Sequence, residues 1–141
     1  MTIAQGQCTV FKKNCLSGLE NFAVGTPYTY KIALYTGNAD LSYATLAYTT
    51  VGEVSGTGYT AGGKVLTVIP PETSDQTAYL SFANVTWNPA SFTVRGALIY
   101  NSTTNAAVAV LDFGADKSPT TSFTITFPTD DASNAVIRFS N

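Results

Sequence analysis

The stretch that decides the fold is Pro27-Tyr28-Thr29-Tyr30-Lys31-Ile32-Ala33-Leu34-Tyr35. Its residues alternate with a period of two, the pattern of a strand whose faces meet different surroundings. Tyr30, Ile32 and Leu34 share one side and are predicted to point inward. Gly37-Asn38-Ala39-Asp40 then supplies turn chemistry and ends the run.

Towards the C-terminus, seven further strand candidates follow: Thr45–Thr50, Lys64–Ile69, Ala78–Phe82, Phe92–Tyr100, Ala106–Phe113, Phe123–Phe127 and Ala135–Phe139. Between them lie Pro70-Pro71, Asn88-Pro89, Asn101–Asn105, Asp116–Pro119 and Pro128–Asp131. No helix-length segment separates these runs, which disfavours an α/β fold. The expected fold is all-β, a single antiparallel β-sandwich of about eight strands.

Towards the N-terminus the period changes. Phe11, Cys15, Leu19 and Phe22 are spaced four, four and three apart, one face of a helix, and Gly18 sits where such a helix would close. A short helix is predicted over about residues 9–18. It packs on a sheet edge or forms an arm that docks on a neighbouring subunit. The division expected is an N-terminal arm over residues 1–26 and a β-sandwich over 27–141, one globular domain in all.

Composition supports this frame. A chain of 141 residues buries enough surface to fold without a metal or a disulfide lattice. Charged residues are 11%, less than half of the usual ~25%, and 22 threonines replace them. The net charge is −2, and no basic cluster exceeds Lys12-Lys13, so a nucleic-acid surface is not expected. No apolar run reaches membrane-spanning length. Met1–Gln5 lacks the charged start and apolar core of a secretory signal. Histidine is absent, which removes imidazole bases and His-ligated zinc. Cys8 and Cys15 are expected as free structural thiols, with a disulfide as the alternative.

The most irregular stretch is the thirteen-residue loop Val51–Gly63, which holds five glycines, Glu53 and Tyr59. Four residues separate Gly58 from Gly63-Lys64, as in a phosphate loop. However, Val65 occupies the hydroxyl position and the following segment is strand-like, so nucleotide binding is not expected. The loop is instead read as a packed excursion, with Tyr59 as an anchor.

An acid pair such as Glu53 with Asp112 is too weak a signal for glycosidase chemistry. The acids near Asp112–Asp116 and Asp130-Asp131 lack the spacing of a calcium loop. No catalytic residue, metal or cofactor is expected. Arg95, in mid-strand beside Gly96, needs a carboxylate partner or a route to water. Glu53 is the predicted partner, so that the pair would pin the long loop to the sheet. Phe11, Phe22, Tyr48 and Tyr59 are the predicted contacts to other proteins.

Four blocks carry a resemblance: Tyr30–Tyr35; Ala47–Thr50 with Glu53–Gly63; Val94–Asn101; and Ala107–Gly114. With Phe11–Phe22 and Ala135–Phe139 they cover nearly the whole chain. The chain resembles a family of small tailed-bacteriophage virion proteins. Asn84 departs from that pattern, standing where relatives are expected to carry an acid. The resemblance implies a structural role, with no catalytic residues to carry over. For a one-domain chain without fibre repeats, the expectation is a capsid cement (decoration) protein. It would bind where subunits of the major capsid protein meet, as a homo-oligomer with a trimer favoured. It would be made in the host cytoplasm and reside on the virion, without nucleic-acid or membrane partners. The alternative is a tail, neck or baseplate module, including a domain that binds host-surface glycans.

Overall fold

The computed structural model describes residues 2–140, so Met1 and Asn141, the outer limits of the two expected segments, lie outside the described residues. In chain order the elements are β1 (Gly6–Gln7), α1 (Thr9–Leu16), β2 (Tyr30–Tyr35), β3 (Lys64–Val65), β4 (Val68–Ser74), β5 (Thr77–Phe82), β6 (Val85–Trp87), β7 (Val94–Asn101), β8 (Ala107–Lys117), β9 (Phe123–Ile125) and β10 (Ile137–Phe139). The chain is thus mostly β with one short helix. Its strands form three antiparallel sheets, ordered β1-β8-β7-β2-β3, β10-β5-β4 and β6-β9.

The centre is β2 against β7, in register from Tyr30 opposite Asn101 to Tyr35 opposite Gly96. Tyr30, Ile32 and Leu34 are buried as predicted, but so are Ala33 and Tyr35. Both faces of this strand are covered, which is why its apolar run is nearly continuous. On one face Tyr30 stacks on Phe22 at 4.2 Å between ring centroids, and Phe22 meets Phe82 of β5. On the other, the Tyr35 hydroxyl donates to the Thr49 carbonyl at 2.6 Å and Tyr100 stacks on Tyr48. The loop between β2 and β3 therefore serves as the second cover.

Several expectations are corrected. Thr45–Thr50 is not a strand; a single bridge, Ala47 to Ala106, ties it down, and Leu46 and Ala47 face solvent. Its alternation has no continuous partner edge to pair with. Pro70-Pro71 does not break the chain: β4 runs through both prolines, which fall in the register shift between Ile69 and Glu72. Proline has no N–H to give a ladder, and a bulge asks for none. The helix ends at Leu16, so Leu19 and Phe22 lie beyond it.

Within residues 2–26 several side chains and one strand join the sheets. β1 pairs with β8, and Ile3, Cys8, Phe11 and Phe22 belong to the same core cluster as the sheets. Burying those side chains is worth about 1.5–3 kcal/mol for each large one, which holds the segment against its own chain.

Candidate functional site

The Val51–Gly63 loop lies along the outer edge of β2. β3 pairs only with Lys31 and Ile32, leaving the rest of that edge to the loop. Val54 N–H donates to the Leu34 carbonyl at 2.9 Å, Glu53 bridges to Tyr35, and Leu34 N–H donates to the Tyr59 hydroxyl at 3.0 Å. The loop can lie this close only because of its glycines. Gly63 has φ +80°, and a Cβ there would sit 1.8 Å from the Ile32 carbonyl oxygen. Gly58, at φ +88°, approaches the Pro89 carbonyl equally closely. The packed-excursion reading of this loop describes it correctly, and Tyr59 is its anchor. The Tyr59 ring stacks on Trp87 at 6.4 Å and meets Phe92 edge-on at 6.1 Å.

Glu53 is the hub. Its carboxylate accepts from the Tyr48 hydroxyl at 2.7 Å, the Tyr59 hydroxyl at 2.5 Å and the Gly62 N–H at 2.8 Å. The Tyr100 hydroxyl fixes the same turn by donating to the Gly62 carbonyl at 2.6 Å. Burial first, and the bond to Glu53 second, push the Tyr59 and Tyr48 phenols far above their ordinary range. The predicted Glu53–Arg95 pair does not form. Arg95 instead meets Asp112, Nε to Oδ1 at 3.3 Å, because β7 and β8 set Gly96 opposite Asp112. The Gly114 N–H, and then Arg95, hold the Asp112 carboxyl below its usual range.

A second acid was not anticipated. Glu20 follows α1, and its Oε1 accepts from the Tyr30 hydroxyl at 3.0 Å and from Asn101 Nδ2 at 2.9 Å. Its other oxygen is buried without a partner. Burial raises the Glu20 carboxyl above its usual range despite those bonds. The available signals were a lone acid in a charge-poor segment and a polar Asn at the end of a core strand.

The predicted contact residues turn inward. Phe11 and Phe22 are buried in the core, so within this chain their rings face other core side chains and not the surface. Tyr48 and Tyr59 are half-buried, with both hydroxyls committed to Glu53. The large apolar side chains that do face solvent are Leu16, Leu19, Val24, Tyr43, Leu46 and Val51, with Val65 and Phe139 on edge strands. Leu16 is 91% exposed, which no packing within the chain accounts for. Asn84 in turn uses its carbonyl oxygen to accept the Phe127 N–H at 2.9 Å.

Chemically the internal groups act as latches. Cys8 and Cys15 are free, and burial pushes both thiols up to about 11, so few are thiolates at neutral pH. Among the described residues no group of three His, Cys, Asp or Glu is placed to hold a metal ion. No helix among them is long and apolar enough to cross a membrane. Comparisons with family models, curated proteins and solved structures gave no match.

Proposed function

We propose that this chain is a virion structural protein of a tailed bacteriophage, a capsid cement protein that binds between subunits of the major capsid protein. The observation that carries the proposal is the contrast between inside and outside. The Glu53 and Glu20 carboxylates are engaged by internal donors, while large apolar side chains stand out on a surface with few charges to desolvate. Such a surface suits a lasting protein contact. The resemblance to virion proteins that we read in the four sequence blocks supports this proposal. Cement proteins act by mass action: binding the assembled lattice and not free subunits favours the lattice. A trimer on a local three-fold axis would present three copies of one patch.

We also read the sheets as layers of one β-sandwich, the five-stranded sheet against the two smaller ones, from the Tyr30–Phe22–Phe82 contacts between them. The contact residues proposed are now the exposed ones, Leu16, Leu19, Tyr43, Leu46 and Val51, in place of the buried phenylalanines.

Copy number tests the proposal. Purified virions are digested, and this protein is quantified by mass spectrometry against the major capsid protein. A simple integer fraction of the capsid protein supports cement. A few copies per particle, matching tail symmetry, would refute it and assign the chain to the tail or baseplate, where a glycan array becomes the next measurement. Absence from virions would refute both.

A further inference from the structure

The cleft between α1 and β10 combines three features found together nowhere else on the described surface. The first is an open backbone edge. β10 pairs with β5 on one side only, and among the described residues no other backbone group bonds to its outer edge. The second is an apolar floor. The cleft, about 590 Å³, runs between Leu16 of α1 and Phe139 of β10, exposed by 91% and 44%. It adjoins a nearly apolar cavity of about 140 Å³ that shares Cys15 and Phe139 with it and reaches Phe11 and Ile137. The third is charge. Lys12 and Arg138 line opposite walls, and among the described residues no carboxylate lines either. In a chain of net charge −2 with seven basic residues, two facing one cleft is a marked local excess.

We propose that this cleft receives an extended segment of a partner protein, which adds as a strand to the free edge of β10. The segment carries an apolar anchor that enters the small cavity and flanking carboxylates that meet Lys12 and Arg138. Main-chain pairing supplies the general affinity, and alternate side chains supply the choice of partner. Arg138 donates from one nitrogen to the Ser133 carbonyl at 2.7 Å, which orients the guanidinium and leaves its remaining donors free for a carboxylate. A second copy of the chain is a poor occupant. Pairing β10 with β10 brings two Arg138 guanidiniums together on walls with no acid among the described lining residues, and like charges across strands repel. The inference deepens the proposed function, since the partner segment would belong to the capsid lattice.

The test uses the isolated chain, so it can fail while the copy-number result stands, and the reverse. The probe is the capped peptide Glu-Val-Glu-Leu-Glu-Val-Glu, titrated against isotope-labelled protein by amide NMR. Its control carries Lys in place of each Glu. The expected result is shifts confined to residues 12–16 and 137–140, slower hydrogen exchange along β10, and no response to the Lys peptide. The K12E/R138E variant, checked by a thermal scan to be folded at the assay temperature, is expected to weaken binding tenfold or more. The proposal is overturned if millimolar peptide moves no amide in that cleft, or if charge reversal leaves the affinity unchanged. It is also overturned if the chain self-associates without peptide and R138E abolishes that association, for then a second copy is the occupant.

Discussion

Removing a single oxygen from Tyr59 is the sharpest test of the loop latch. In Tyr59→Phe the ring keeps its contacts with Trp87 and Phe92, so packing is conserved and only the hydroxyl is lost. That hydroxyl has two jobs. It accepts the Leu34 N–H at 3.0 Å, and it donates to Glu53 at 2.5 Å. Leu34 is fully buried, so its N–H would be left without a partner, at a cost of about 1–3 kcal/mol. The bond to a charged carboxylate contributes about 1.5–3 kcal/mol more. Because the two share one atom they do not add fully, and the expected loss is about 3–4 kcal/mol. Tyr48→Phe is the internal control. Its hydroxyl also bonds Glu53, at 2.7 Å, and faces the Gly62 N–H, but that N–H keeps Glu53 as its acceptor at 2.8 Å, so about 1 kcal/mol is expected. The assay is urea unfolding followed through Trp87, the single tryptophan, which is 1% exposed. In a thermal scan the Tyr59 variant should melt about 10 °C below the parent. If Tyr59→Phe costs no more than Tyr48→Phe, the hydroxyl is not sealing the edge of β2 and the reasoning is wrong.

Glu20→Gln should change the pH dependence of stability. A carboxyl raised by folding contributes stability fully present below its unfolded value, which is lost as pH rises through the folded one. The glutamine variant should therefore gain on the parent as pH climbs from about 4.5, a gap that thermal melts across pH 4–8 would show and that a constant difference would deny. Arg95→Met and Asp112→Asn should couple by no more than about 1 kcal/mol, since the pair is a third exposed and meets at one contact, whereas Arg95 and Glu53 should show no coupling in the same double-mutant cycle. Gly63→Ala should cost at least about 2 kcal/mol in denaturant, because its Cβ would collide with the Ile32 carbonyl. Native alkylation of Cys8 and Cys15 at pH 7.5 should be slow by intact-mass analysis and fast after unfolding.

Much of the fold was legible because it depends on local alternation. β2, β7, the first half of β8 and the helix start fall where the periodicity puts them. What failed depends on partners distant in sequence. Thr45–Thr50 alternates well enough, yet it becomes a cover over β2 because β8 and the loop leave it no open edge. The extension of β8 to Lys117 rests on a bulge after Asp112 that composition does not announce. The Glu53 latch was half visible. The sequence marked Glu53, Tyr48 and Tyr59 as notable, but not that they meet each other. Arg95 needs an acid or a route to water, and it has both. Which acid depended on the register of β7 with β8, and alternation fixes faces without fixing register.

The strand order also has a consequence for synthesis on the ribosome. The inner edge of β2 has no partner until β7 emerges some sixty residues later, since β3 and the Val51–Gly63 loop take only its outer edge, and β1 has no strand partner before β8. The nascent chain therefore carries a buried strand with its inner edge unpaired until β7 is made, and the central sheet closes late. Such long-range topologies fold slowly and expose sticky edges meanwhile. During that interval the sparse charges that suit a permanent contact offer little protection, so recombinant yield should improve at low temperature or with added chaperones far more than it would for a helical protein of equal length.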